Sequence, residues 1–150
     1  MIFERLWALF RKKKQALPSK CLSAGVYGEK IAENYLKEQG YQIKERNYRV
    51  GKSEIDLIAF QDGFVAFVEV KTRTRTPDSK EWGRPADAVD REKQWYLIRA
   101  ARSYVRHCPP PCRFRFDVIE VYLDKDKTVL QIKHIQGAFD ASRKPYKKRK

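Results

Sequence analysis

Phe64-Val65-Ala66-Phe67-Val68-Glu69-Val70-Lys71 is the stretch from which the rest of the chain can be read. From Phe64 to Val70 every residue is apolar except Glu69, and the run closes on Lys71. In a β-strand side chains alternate, so Val65, Phe67, Glu69 and Lys71 share one face. A carboxylate that ends an otherwise apolar strand is costly to bury unless it is paired or bound to a metal. Upstream, Glu54-Ile55-Asp56-Leu57-Ile58-Ala59-Phe60 is a second strand candidate, in which Glu54 and Asp56 share a face with Ile58 and Phe60. Asp62-Gly63 between the two runs is a strong hairpin signal. A hairpin about that turn brings Asp56 and Glu69 to the same end of two neighbouring strands.

Working outward, Ser23 can cap a helix that ends near Gly40. On a helical wheel Tyr27, Ile31, Tyr35, Gly28, Ala32 and Leu36 cover one half. Glu29 falls at the border of that apolar arc, and Glu33 lies further into the polar side. Tyr41 to Tyr48 is the first strand candidate. Residues 72–89, with Pro77, Gly83 and Pro85 among charges, read as a loop. Asp90 caps a second helix from about Arg91 to His107, with Trp95, Ile98, Ala101 and Val105 on its apolar side. Pro109-Pro110-Pro111 stops it. Phe114 to Leu123 and Thr128 to Ile135 make a second hairpin around Asp124-Lys125-Asp126-Lys127. The order α-β-β-β-α-β-β predicts one α/β domain over residues 23–140, a mixed sheet flanked by helices.

Charged residues make up 35% of the chain, against a usual ~25%. Residues 1–20 hold six Lys/Arg against one Glu, and residues 141–150 hold six against no acid. The net charge of +14 therefore lies mainly in two tails around a nearly balanced domain. Basic tails attract any polyanion, nucleic acid or anionic lipid, without choosing between them; solvated solubility tails are the plain alternative. No segment approaches the ~20 apolar residues of a membrane span, and the start lacks the order of a secretory signal. Phe3, Leu6, Trp7 and Phe10 fall at helical spacing. Residues 1–22 are thus expected to form a basic arm with a short amphipathic helix, resting on a lipid surface, on a partner or on the domain itself. From residue 141 onward the chain is expected to be disordered. Cys21, Cys108 and Cys112 give an odd count, and His107-Cys108-Pro-Pro-Pro-Cys112 lacks the second Cys/His pair of a zinc site. Free thiols in a reducing cytoplasm are expected.

Two carboxylates converging from neighbouring strands, with a third from the first helix, would form a pocket of oxygens. Hard cations such as Mg²⁺ take such ligands, typically one or two carboxylates with waters and substrate phosphate. An ammonium beside them, here Lys71, can orient water or offset charge on a phosphoryl group. The pattern Gly28-Glu29-x-x-Ala32, Arg46-Asn47-x-Arg49, Gly51-x-x-Glu54-Ile55-Asp56-Leu57-Ile58-Ala59 and Phe67-Val68-Glu69-Val70-Lys71-Thr72-Arg73 resembles the YraN-type bacterial proteins. These are similar in turn to the PD-(D/E)xK nucleases, including archaeal Holliday-junction resolvases. Ala88-Val89 before Lys93, Arg115-Phe116-Asp117-Val118 and His134-Ile135-x-x-Ala138-Phe139 agree, so the resemblance covers about residues 24–140.

That resemblance implies a restriction-endonuclease-like fold and phosphodiester hydrolysis with Mg²⁺ or Mn²⁺. Asp56 and Glu69 would be metal ligands, helped by the Val70 backbone carbonyl; Lys71 would be the catalytic lysine, and Glu29 matches the first-helix glutamate. No Pro precedes Asp56, a departure at a loose position. The plain alternative for Glu69 and Lys71 is a strand-end ion pair. Arg46, Arg49, Arg73 and Arg75 are candidates for phosphate contact, or else an exposed basic rim. Lys93 and Gln94 open the second helix, where a phosphate can be held. Asp117 is expected in a salt bridge to an Arg, His134 in a structural role, and Trp82 in packing or on a base. The expected partner is nucleic acid, foremost DNA in branched or single-stranded repair or recombination intermediates, with a homodimer suggested by analogy. The competing function is a nucleic-acid-binding protein that keeps the fold and cuts poorly or not at all.

Overall fold

The computed structural model describes residues 22–75, 89–110 and 112–142. The expected basic arm, the part of the loop from 76 to 88 with Trp82, and the tail from 143 lie outside the described residues. The elements are α1 (Ala24–Glu38), β1 (Gln42–Val50), β2 (Ser53–Gln61), β3 (Phe64–Thr74), α2 (Arg91–Val105), β4 (Arg113–Leu123) and β5 (Val129–Phe139). Both caps form as the sequence suggests. Ser23 Oγ accepts the Val26 N–H, and Asp90 Oδ1 accepts that of Lys93.

The five strands form one sheet in chain order. β1, β2 and β3 are joined antiparallel, β3 and β4 run parallel, and β5 returns antiparallel. Asp62 at φ 51 and Gly63 at φ 79 make the tight turn between β2 and β3. The parallel β3–β4 pair needs a crossover, and α2 lies within that connection. The α-β-β-β-α-β-β order and the mixed sheet flanked by helices are as expected.

Each helix covers one face. α2 places Leu97, Ile98 and Ala101 on Ile58, Val65, Phe67, Phe116 and Val118. α1 places Ile31, Ala32 and Leu36 on Leu57, Ala66, Val68, Ile119 and Val121. At Gly28 the α1 backbone touches β3: an added Cβ would lie 1.8 Å from Thr72 Oγ1. That close approach carries Glu29 toward the end of β3.

Four expectations are corrected. Residues 72–74 are not loop, because β3 keeps pairing with β4 as far as Thr74↔Leu123. β5 runs past Ile135 to Phe139: Gly137, at φ 60, shifts the register and donates its N–H to Asp117 Oδ1 at 3.1 Å, so Phe139 stacks on Phe116 at 4.7 Å. Trp95 is outside the core; α2 buries Leu97, Ile98, Ala100 and Ala101 instead, and Trp95 stays half-exposed at its flank. Glu33, assigned to the polar side of α1, is 3% exposed, because Arg46 from β1 and Lys37 close over it.

Candidate functional site

The β2–β3 ladder runs from Gln61↔Phe64 to Leu57↔Val68 and stops. Its next rung would set Asp56 directly opposite Glu69. Like charges in that position are destabilising, and the strands part there. On the other side of β2 the pairs Arg46↔Leu57 and Tyr48↔Ile55 leave Asn47 opposite Asp56. Asn47 is in the left-handed region at φ 48. Around it the alternation of β2 reverses, since Ile55 and Ile58 both pack on the α2 side while Leu57 packs on the α1 side.

Asp56 fills the gap so made. Its Oδ2 accepts the Val70 N–H at 2.7 Å, in place of a backbone acceptor on β2. A strand residue's N–H and C=O point to the same side, so the Val70 carbonyl faces the same gap. Burial, then the charge of Glu69, pushes the Asp56 carboxyl up to about 7, with Glu29 adding to the rise and the Val70 N–H and Lys93 opposing it.

Glu69 is 4% exposed. Its Oε1 lies 3.1 Å from Lys71 Nζ, and its Oε2 lies 3.5 Å from Lys93 Nζ without a hydrogen-bond partner. Buried carboxylate oxygens are rarely left in that state; here the oxygen faces the Lys93 ammonium. Lys93 reaches it from the first turn of α2, beside the Asp90 cap. The buried Glu69, the part-buried Asp56 and two ammonium groups thus meet where β2 and β3 separate. Glu29 approaches from α1, with its Oε2 held by Asn47 Nδ2 at 3.2 Å; the same amide nitrogen lies 3.3 Å from Glu54 Oε1. Among the described residues no group of three His, Cys, Asp or Glu side chains is arranged to hold a metal ion.

The remaining sequence candidates stand apart from this centre, and most are engaged. Arg46 holds Glu33 through two bonds, at 2.9 and 2.7 Å. Arg49 pairs with Glu54 at 3.1 Å, and Arg73 lies 3.5 Å from the fully buried Glu120. Arg75 sits over the Tyr122 ring at 5.0 Å. Gln94 donates to the Val89 carbonyl at 2.9 Å and fixes the start of α2. Asp117 takes the expected arginine: Arg115 Nε at 2.9 Å, joined by His134 Nε2 at 2.8 Å. Burial pushes the Asp117 carboxyl up, but the His134, Arg115 and Gly137 bonds outweigh it and hold the group below its usual value.

Asn47 entered the sequence reading only within the Arg46-Asn47-x-Arg49 pattern, with no role expected for it. Sequence reasoning missed Glu33 and Glu120 as buried acids, and it singled out none of Arg99, Arg102 and Arg106.

The fold and its acid pair define an α/β domain with a buried carboxylate–lysine centre at a break in the sheet. Residues 28–121 match the family model described as Uncharacterised protein family UPF0102. The chain belongs to this family. It is similar to the UPF0102 protein of Caldanaerobacter subterraneus subsp. tengcongensis, 43% identical over 119 residues, which are 78% of this chain and 94% of that one. It is likewise similar to UPF0102 proteins of Chloroherpeton thalassium, at 47% over 69% of this chain and 78% of that one, and of Clostridium acetobutylicum, at 42% over 77% and 93%.

Proposed function

We propose that the protein is a divalent-metal-dependent nuclease that hydrolyses phosphodiester bonds in DNA. The observation that carries this reading is the Asp56–Glu69 opposition: two carboxylates share one gap, one oxygen of Glu69 lacks a hydrogen bond, and Lys71 stands at 3.1 Å. A carboxylate raised by burial and by a second acid beside it is a frequent mark of functional sites. Asp56, Glu69 and the Val70 carbonyl are the groups that would hold Mg²⁺ or Mn²⁺, with waters and substrate oxygens completing the shell. When bound, the cation supplies a water of lowered pKa and offsets charge on the phosphoryl oxygens.

The rest of the chemistry falls to the side chains. Lys71 Nζ holds the attacking water beside Glu69 and stabilises the charge that develops on phosphate. Lys93, which reaches Glu69 from the first turn of α2, orients the phosphate. Glu29 tightens the negative field from α1, and its own position is fixed by Asn47. A competing reading, a nucleic-acid-binding protein without turnover, draws on one observation: Lys71 and Lys93 both neutralise Glu69 without a metal.

A panel of single-stranded, duplex, flap and four-way-junction DNA, with matching RNA, incubated with Mg²⁺ or Mn²⁺, separates the two. The nuclease reading expects cleavage of at least one DNA by the natural sequence. It expects none by Glu69→Gln or Asp56→Asn preparations purified in parallel, with binding retained. No cleavage anywhere in the panel leaves the binding protein.

A further inference from the structure

A second feature lies outside the acid pair. Between the β1–β2 turn and α2 runs a groove of about 640 Å³, lined by Lys52, Trp95, Tyr96, Arg99, Arg102 and Arg106 together with small or apolar residues, and by no acid. The arginines here differ from four that are held by acids. Arg46, Arg49, Arg73 and Arg115 each face a carboxylate. Among the described residues Lys52, Arg99, Arg102 and Arg106 face none. Lys52, Arg99, Arg102 and Arg106 are also exposed. Arg102 donates one bond, at 3.2 Å, to the Ala141 carbonyl. Four exposed cations without a carboxylate partner, gathered along one groove, set up a positive field that draws an anion.

The spacing narrows the class of anion. Trp95, Arg99, Arg102 and Arg106 follow one another at i, i+4, i+7 and i+11, a single stripe along α2 of about 16 Å. One phosphate would occupy only a corner of it; an extended polyanion fits its length. Aromatic rings interleave with the cations: Arg99 lies over the Trp95 ring at 4.7 Å, and Trp95 meets Tyr96 edge-on at 5.0 Å. Rings beside a cationic track are what a single strand needs, because its unpaired bases have faces to stack and a duplex hides them. The stripe starts two residues beyond Lys93, which pairs with Glu69 from the far side of α2, about 200° around the helix.

We propose that this groove seats a single-stranded segment of nucleic acid leading away from the acid pair, with phosphates on Lys52, Arg99 and Arg106 and a base stacked against Trp95 and Arg99. The proposal rests on the nuclease reading only for the direction in which the strand leads. It assigns the substrate class: DNA with an unpaired segment next to the cleaved bond.

The test is binding by the full chain in EDTA, so that cleavage plays no part. The probes are a fluorescein-labelled oligothymidylate and a duplex of equal length, followed by anisotropy across a salt series. Arg99→Ala with Arg106→Ala should weaken oligothymidylate binding about tenfold or more. The slope of log K against log salt should become shallower by about 1.4, at roughly 0.7 per lost phosphate contact on a single strand. The paired lysine substitutions should restore that slope. Trp95→Ala should weaken the same probe several-fold with the slope unchanged, and duplex binding should move far less in every variant. Unchanged melting temperatures establish that the variants fold.

Equal losses on single strand and duplex, no loss on either, or displacement of the oligothymidylate by polyglutamate at equal charge concentration would each overturn the assignment. A protein that binds through the groove and cuts nothing refutes the nuclease reading alone. One that cuts, with single-strand binding indifferent to the groove variants, refutes the groove alone.

Discussion

Asp56 and Glu69 are the residues that the β2–β3 ladder would join next, and the strands part at that rung instead. The Val70 N–H turns to the Asp56 carboxylate at 2.7 Å. A side chain thus stands where the ladder would continue, and the consequences can be measured without knowing the substrate.

The first concerns the metal-free protein. Asp56 is raised from 3.8 to about 7 in the folded state, so between those values the folded chain binds more protons than the unfolded one. Stability from this group is fully present below about pH 4 and is lost as pH rises through 7. Asp56→Asn, which keeps an acceptor for Val70, should raise the melting temperature at pH 8 by several degrees and leave it nearly unchanged at pH 4. Scanning calorimetry in EDTA at the two pH values reads this. An equal shift at both would mean that Asp56 carries no strained charge.

Mg²⁺ should reverse that ordering. On the proposed reading the natural sequence gains thermal stability from millimolar Mg²⁺ or Mn²⁺ at pH 8, by an amount that grows with cation concentration. The Asp56→Asn and Glu69→Gln proteins should gain almost none. Melting curves across a cation titration decide it, with Ca²⁺ as a control for charge alone.

Lys71 should matter to rate more than to affinity. Lys71→Met is expected to lower kcat on a cleaved DNA by about 10²–10³-fold while KM moves only slightly. Single-turnover kinetics distinguish this from a binding defect, which would raise KM at constant kcat.

Arg46 should behave as a structural residue despite its basic character. Its hydrogen bond, aided by Lys37 and opposed by burial, holds Glu33 down from 4.5 to about 2. A group lowered in this way contributes stability above about pH 4.5 that is lost as pH falls through 2. Arg46→Ala should cost about 2 kcal/mol at neutral pH, discounted for partners that are half exposed. DNA affinity and its salt slope should stay as they are. Chemical denaturation and the anisotropy series together check both halves.

The two glycines of α1 should part company. Gly28→Ala forces a methyl to 1.8 Å from Thr72 Oγ1, so α1 must lift from β3 at a cost of about 1–3 kcal/mol. Gly25 has nothing within 4 Å, and Gly25→Ala should stabilise by up to ~1 kcal/mol through helix propensity. Urea midpoints of the two variants give the comparison.

How much of this was legible in the sequence follows from the range of each interaction. The Asp62-Gly63 turn and the caps at Ser23 and Asp90 are local, and the residue types alone announce them. Glu69 and Lys71 were legible because an acid inside an apolar run has few explanations. The burial of Glu33 was not, since a helical wheel shows what one helix offers and not that Arg46 from β1 will cover it. Nor was the reversal at Asp56: strict alternation put it on one face with Ile58, whereas the alternation reverses there, opposite Asn47 in its left-handed conformation. Arg99, Arg102 and Arg106 carry no signal of their own, because the opposite wall of their groove is the β1–β2 turn, far from them in the chain.

The parted strands tie endurance to function at a single point. If the cation is the missing crosspiece between β2 and β3, any substitution that lets the empty protein close that seam by itself must surrender affinity for the ion. Variants selected only for heat resistance should therefore accumulate changes at Asp56 or Glu69 and lose turnover as they do so.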